Sequence, residues 1–187
     1  KIQRSAPIWS LAWNPNKREK HDVVAVGCWD GTLSFYQLNG MQVGDDRVLG
    51  FDPCSVSYFG GGDYVIVGGT DKTTRLCSKE GTVLTTVCER GSWVWCARAR
   101  PGHNAIAVGS EDGSISTHQL TFSTVHGMYR EHYAYRDMMT DVIVQHLETE
   151  QKVRIRCKDY VKKIAVYKDK LAVQLPDKLV IYQMVES

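Results

Sequence analysis

The stretch VHGMYREHYAYRDMMTDVIVQHL, from Val125 to Leu147, gathers side chains that could do acid–base or anion chemistry. His126, His132, Asp137 and His146 are of the types that move protons, and Arg130 with Arg136 could clamp an anion. Proton transfer needs such groups framed by a nucleophile and an orienting partner. No G-x-S-x-G or H-E-x-x-H pattern supplies that frame, and His146 alternates with apolar residues as a strand residue does. No catalytic residue is assigned. His126 and His132 would need further ligands to hold a metal, and the sequence points to none. FGGGDYV is Gly-rich but lacks the G-K-[ST] ending and the following helix of a phosphate loop, while Lys72 in GGTDKTT falls in a hairpin turn. The expectation is of no metal and no cofactor.

Two surfaces remain. KVRIRCK alternates basic and apolar residues, so Lys152, Arg154, Arg156 and Lys158 would share one face of a strand. With Tyr129, Tyr133 and Tyr135 near in sequence, such a face could stack bases and hold phosphates. Glu131 and Asp137 offset the arginines beside those tyrosines, however, and a charged face also protects an edge strand from pairing with another sheet. No nucleic acid is expected. Tyr129, Arg130, Tyr133, Tyr135 and Arg136 suit protein contact, since Tyr and Arg are enriched among interface anchors. The stretch fits either a partner surface or the docking of two domains of one chain.

Composition narrows the setting. The chain has 187 residues, 43% hydrophobic and 24% charged, with a net charge of +2. These are values of a folded protein, and the charge is too small to indicate a nucleic-acid or membrane partner. No apolar run approaches the ~20 residues of a transmembrane helix. The opening KIQRSAPIWS has neither an apolar leader nor an initiator Met and reads as the interior of a longer protein. Six cysteines occur without a C-x-x-C pair, and there is no N-x-S/T acceptor, which fits reduced thiols in an intracellular compartment.

The elements that must position these residues follow a repeat. DVVAVGCWDGTLSFYQL, DYVIVGGTDKTTRLCSK and NAIAVGSEDGSISTHQL each run from β-branched residues through Gly to an Asp-containing turn and a second alternating run. The turn aspartates Asp30, Asp71 and Asp112 are 41 residues apart in both intervals. Asp-Gly between two short apolar runs makes a tight hairpin. Another apolar run precedes each hairpin (IWSLAW, CSVSYF, VWCARA), and a less clear one follows, as in GTVLTTV. Four strands per period of ~40–45 residues is the arithmetic of a β-propeller blade.

After Leu120 the series breaks. The next such turn, at Asp177, lies 65 residues beyond Asp112. DVIVQHLETEQKVRIRC predicts a hairpin, and KKIAVYKDKLAVQLPDKLVIYQM three more strands. The expected fold is all-β and partial: about three blades of one propeller over 1–121, a connector over 122–139, and the first strands of a second propeller over 140–187.

VAVGCWDGTLSFYQL and IAVGSEDGSISTHQL resemble the region of WD repeats around the turn between a blade's second and third strands. In that family the turn Asp accepts hydrogen bonds that tie the blade together, a structural role the resemblance carries to Asp30, Asp71 and Asp112. The third strands end in Tyr36-Gln37, Cys77-Ser78 and His118-Gln119, not in Trp-Asp, so the WD repeats are degenerate. RSAPIWSLAWNP, SFYQLNGMQVG, FDPCSVSYF, FSTVHGMYREHYAYRD and TDVIVQHLETEQKVRIRCK together resemble the family of WD-repeat subunits of intraflagellar transport complex A (IFT-A).

That resemblance implies a non-catalytic scaffold in retrograde ciliary transport and in the ciliary import of membrane receptors. Its partners would be the other IFT-A subunits and, indirectly, cytoplasmic dynein-2, IFT-B trains and ciliary membrane cargo. Its place would be the cytoplasmic side of the cilium or flagellum and the basal body. A vesicle-coat-like propeller adaptor, or an RNA-associated propeller using Lys152–Lys158, are the alternatives.

Overall fold

The computed structural model describes residues 1–17 and 21–184; residues 185–187, within the span expected to hold the first strands of a second propeller, lie outside the described residues. The chain divides into two compact units, Lys1–Thr121 and Phe122–Ser187.

In unit 1 each repeat becomes an antiparallel meander, the all-β blade expected from its alternation. The first sheet runs in the order β1 (Ile8–Trp13), β2 (Val23–Cys28), β3 (Thr32–Gln37), β4 (Arg47–Val48). The second runs β5 (Pro53–Phe59), β6 (Tyr64–Gly69), β7 (Thr73–Ser78), β8 (Val83–Glu89). The third holds β9 (Val94–Ala99), β10 (Ala105–Ser110) and β11 (Ile115–Gln119). The first strands of the sheets, β1, β5 and β9, pack side by side, so the sheets fan out from a common inner edge.

Apolar residues from facing sheets fill the space between blades. Ala25, Leu33 and Phe35 of the first meet Val56, Val65, Val67 and Cys77 of the second, with Leu49 and Phe51 from the connecting loop. The glycine of the Val-Gly pair in the second strand of the first two repeats helps to set the blade spacing. A Cβ at Gly27 would lie 2.9 Å from Val56, and one at Gly68 would lie 2.5 Å from Val94. Each of these glycines lets the next blade approach closely.

The hairpin turns put one residue in the left-handed region: Gly31 at φ +73°, Lys72 at +67° and Gly113 at +81°. Lys72 carries a Cβ where its two counterparts carry none, a conformation that costs an L-residue about 1 kcal/mol. Lys72→Gly is expected to stabilise the protein by up to about 1 kcal/mol, read as a higher midpoint in urea unfolding. A lower midpoint would mean that the lysine side chain makes a stabilising contact.

Unit 2 contains a four-stranded meander, β12 (His126–Tyr129), β13 (His132–Asp137), β14 (Asp141–His146) and β15 (Lys152–Arg156). A three-stranded sheet follows: β16 (Lys163–Tyr167), β17 (Lys170–Gln174), β18 (Leu179–Gln183). This corrects the expectation of a connector over 122–139 with strands resuming near Asp141. β12 and β13 are the first half of the four-stranded sheet, and β13 pairs with β14 from His132↔His146 to Asp137↔Asp141. The hairpin escaped notice because its turn is Arg130-Glu131, with Arg130 at φ +50°, where the earlier turns use Asp-Gly or Asp-Lys. Its strands also alternate His and Tyr with small residues in place of aliphatic ones. Gly127 is small for a reason: a Cβ there would meet the backbone of β16 at 3.2–3.3 Å.

The core of unit 2 lies between its two sheets. Ala134 and Val142 pack with Val161, Ile164, Val166, Leu171, Val173 and Leu175, and Tyr129, Val144 and Ile155 close the sides. No helix among the described residues is long and apolar enough to cross a membrane.

Candidate functional site

The turn aspartates are each held by the residue two positions on. Asp30 accepts the Thr32 hydroxyl at 2.5 Å, Asp71 accepts Thr73 through its amide at 3.1 Å and its hydroxyl at 2.7 Å, and Asp112 accepts the Ser114 amide at 2.9 Å and hydroxyl at 2.5 Å. An arginine completes each arrangement, from a different place each time. Arg4 pairs with Asp30 at 3.2 Å and Asp46 at 2.8 Å and donates to the Tyr36 hydroxyl and to Thr32. Arg75 pairs with Asp71 at 2.7 Å. Arg90 reaches the third turn through the Ser110 and Ser114 hydroxyls, at 3.1 and 2.6 Å. Sequence reasoning missed these arginines. Arg75 was findable, four residues after Asp71, but Arg4 lies outside the repeat.

The Arg4 network has a pH signature. The Arg4 guanidinium holds the Asp46 carboxyl below its ordinary range, and the Thr32 hydroxyl does the same for Asp30, against burial that opposes both. A carboxyl with a lowered folded-state pKa contributes stability above its unfolded pKa, about 4. That contribution is lost as pH falls through the lowered values. The Tm gap between wild type and Arg4→Met is therefore expected to shrink as pH falls from about 6 to about 3. A gap that stays constant would separate Arg4 from these carboxylates.

In unit 2 the candidate proton-transfer groups are parted by the strand pleat. His132 and His146 face one another across β13 and β14, edge to face at 5.1 Å, and the Thr149 amide donates to His146 Nδ1 at 3.3 Å. His126 lies on the opposite face beside Tyr133, at 6.0 Å. Asp137 is ion-paired with Arg154 at 2.7 Å. Among the described residues no group of three or more His, Cys, Asp or Glu is placed to hold a metal.

Two candidate contact residues are occupied inside unit 2. Arg136 donates to the Val161 carbonyl at 2.8 Å, the Ser123 carbonyl at 2.6 Å and the Tyr160 hydroxyl at 3.2 Å, and its guanidinium lies over the Tyr160 ring. It joins β13 to the segment that leads into β16. Tyr129 meets Tyr167 edge to face at 5.1 Å, with Arg130 over its ring at 5.5 Å. Tyr133 and Tyr135 lie on the other face of β13, ring beside ring at 5.4 Å. They share that face with Met128, which is 63% exposed.

The basic strand differs from its expectation in two ways. Lys152, Arg154 and Arg156 do share a face of β15, since they oppose Gln145, Ile143 and Asp141. Lys158 does not belong to that face: the strand ends at Arg156, and Lys158 sits in a bend at φ +58°. Arg154 is bound to both Asp137 and Asp141 at 2.7–2.8 Å, so its charge is already answered. On the opposite face a hollow of about 540 Å³ is lined by His132, Val144, His146, Val153, Ile155 and Tyr182, among others.

Unit 1 carries a feature the sequence reading did not single out. In each inner strand the pairing slips by one residue at the same place, next to Trp9 in β1, Cys54 in β5 and Trp95 in β9. Such a bulge re-aims its side chain. β5 lies between β1 and β9, and the Trp9 and Trp95 indoles approach to 6.1 Å. Trp29, next to the Asp30 turn, stacks on Trp9 at 4.5 Å, and Trp93 lies 5.7 Å from Trp95. Trp9 remains 50% exposed and Trp95 37% exposed. The signal was present: Trp9 and Trp95 hold equivalent places in IWSLAW and VWCARA.

The sequence matches two families in succession. Residues 1–119 match the family described as IFT122 first beta-propeller, and residues 126–187 the one described as IFT122 second beta-propeller. Intraflagellar transport protein 122 homologs from Mus musculus and Xenopus tropicalis are 58% and 57% identical over 179 residues, or 96% of this chain. The homolog from Danio rerio is 53% identical over the whole chain. The chain spans 15–16% of the length of these relatives.

Proposed function

The chain belongs to the IFT122 β-propeller family, and from that premise we propose that it is part of a non-catalytic scaffold subunit of IFT-A, acting in retrograde ciliary transport and in the ciliary import of membrane receptors. Its partners are the other IFT-A subunits, through which it is linked to cytoplasmic dynein-2, IFT-B trains and membrane cargo. It works on the cytoplasmic side of the cilium and basal body. The observation that carries this reading is similarity to both propellers over nearly the whole chain. The geometry supports it. The groups suited to proton transfer are split between strand faces or ion-paired, while rigid blades present aromatic and charged side chains outward.

The RNA alternative is weakened by Arg154, whose guanidinium is already bound by two carboxylates. We assign the contact surface of unit 2 to the face of Tyr133 and Tyr135, with Arg130 at the adjoining hairpin turn. Arg136 and Tyr129 act from within to hold the blade that presents it.

The test is to tag the full-length protein in ciliated cells, purify it at moderate salt and identify what accompanies it. IFT-A subunits in comparable amounts are the expected result; coat proteins or RNA without ciliary subunits would overturn the reading. Tyr133→Ala with Tyr135→Ala is expected to lower recovery of IFT-A subunits severalfold at unchanged protein level. Full recovery would remove these tyrosines from the contact.

A further inference from the structure

We propose that His132 and His146, opposite one another on β13 and β14, form a two-histidine site for a divalent transition-metal ion of the zinc type. The site lies on the face of unit 2 that looks into the hollow between its two sheets. It is separate from the contact face assigned to Tyr133 and Tyr135 and does not depend on the transport role.

The strand register makes the pair. The His146 amide donates away from β13, to the Gln151 carbonyl at 3.0 Å, and the next amide, Leu147, donates to the Glu131 carbonyl at 2.7 Å. His132 and His146 are therefore opposite residues that no backbone hydrogen bond joins. Such a pair holds its Cα atoms about 4.5 Å apart and brings its side chains closer than the bonded kind. Both imidazoles leave the sheet on one face, with ring centres 5.1 Å apart. His126, the histidine nearest to His132 in sequence, lies on the opposite face beside Tyr133.

That spacing suits a single ion. Zinc binds imidazole nitrogen at about 2.0–2.1 Å, which puts the centres of two imidazoles on one tetrahedral ion about 5 Å apart. The ring planes now stand at 83°. Turning their nitrogens toward one point is a matter of χ2, a broad and soft torsion for histidine, and needs no movement of either strand. His146 Nδ1 accepts the Thr149 amide at 3.3 Å. Zinc on Nδ1 would replace that amide, and zinc on Nε2 would put the ring proton on Nδ1 and end the contact. Either way the loss is that of one long hydrogen bond.

The surroundings favour a borderline metal over other cations. The hollow of about 540 Å³ beside the pair is walled by Val144, Val153 and Ile155 from one sheet and Tyr182 from the other, so both walls belong to unit 2. Among the described residues no lysine or arginine lines it to repel an ion, and no carboxylate lines it to recruit magnesium or calcium. Imidazole nitrogen suits zinc, copper and nickel. With two protein ligands, where a structural zinc has four and a catalytic zinc three, the ion is held loosely and keeps water in its remaining positions.

The experiment uses the full-length protein, stripped of metal, and hydrogen exchange read by mass spectrometry with zinc, with magnesium and without added metal. Zinc is expected to slow exchange across β13 and β14, because it bridges them, with half of the effect reached below about 100 µM. Magnesium is expected to leave these strands unchanged. His132→Gln and His146→Gln are each expected to weaken the zinc effect at least about tenfold. Undiminished zinc protection in either folded variant, equal protection by magnesium, or no protection up to about 1 mM zinc would each overturn the proposal. If the variants lose their melting transition, acylation of wild-type histidines by diethyl pyrocarbonate decides. Zinc that slows modification of both His132 and His146 at least about threefold, with His126 unchanged, supports the site. Shielding of only one of the two, or the same rates with and without zinc, overturns it.

Discussion

Gly69→Ala is expected to destabilise the protein by about 3 kcal/mol, by forcing apart the end of β6 and the loop that leads into β5. The added Cβ would lie 2.5 and 2.6 Å from two carbons of the Phe51 ring and still closer to the Asp52 carbonyl oxygen. Neither neighbour can yield cheaply. Phe51 is buried in the inter-blade core and carries the Arg75 guanidinium on its ring. The Asp52 carbonyl accepts the Thr70 amide at 3.1 Å, and the Asp52 amide donates to the Thr70 hydroxyl at 3.1 Å, so the loop is tied on both sides. Gly91→Ala is the control, because nothing lies within 4 Å of its added Cβ. It is expected to change stability by less than about 0.5 kcal/mol. Urea unfolding of the two variants against wild type reads the difference. Equal effects would show that the loop at Phe51 repacks freely.

Arg136→Ala is expected to destabilise unit 2 by about 2–4 kcal/mol, and Arg136→Lys to restore less than half of that. Three hydrogen bonds from one guanidinium go to the Ser123 carbonyl on one segment and to the Tyr160 hydroxyl and Val161 carbonyl on another. An ammonium cannot reproduce that fork, and alanine leaves the Val161 carbonyl without this charged donor. The measurement is hydrogen exchange of the amides from Val161 to Tyr167, which should speed up in both variants. The same variants separate structure from contact. If Arg136 acts only within unit 2, IFT-A recovery falls in step with the folded fraction and no further. A loss of recovery at undiminished protection would make Arg136 a partner residue.

The blades of unit 1 were legible because their period, β-branched runs and Asp-centred turns all agree, and each of these is a local property. The first hairpin of unit 2 was not, because Arg130 adopts the left-handed conformation that turn chemistry assigns to Gly or Asn. Its strands also bury small residues against a neighbouring backbone where strand patterns bury aliphatic ones. Among the site residues, the turn aspartates follow from position in the repeat. Of their arginines, Arg75 follows from its place four residues after Asp71, but Arg4 does not, because its pairing with Asp30 depends on three-dimensional approach over 26 residues. The Trp9–Trp95 pair needed the bulge register, which alternation alone does not reveal. The basic strand showed the opposite error at Arg154, whose charge looked available in sequence but is met by Asp137 and Asp141 once β13 and β14 fold beside β15.

Among the described residues every sheet has its strands in sequence order, each paired with the one made just before it. A ribosome therefore releases each hairpin complete, with its partner already outside the exit tunnel, and only the stacking of one sheet on the next waits for later synthesis. Pairings between neighbours in sequence close short loops and form quickly. A nascent chain of this kind exposes apolar sheet faces more than unpaired strand edges, so the hazard during synthesis is face-to-face clumping between unfinished chains. A chaperone serving such a chain would have to shield flat apolar surfaces until the following blade arrives.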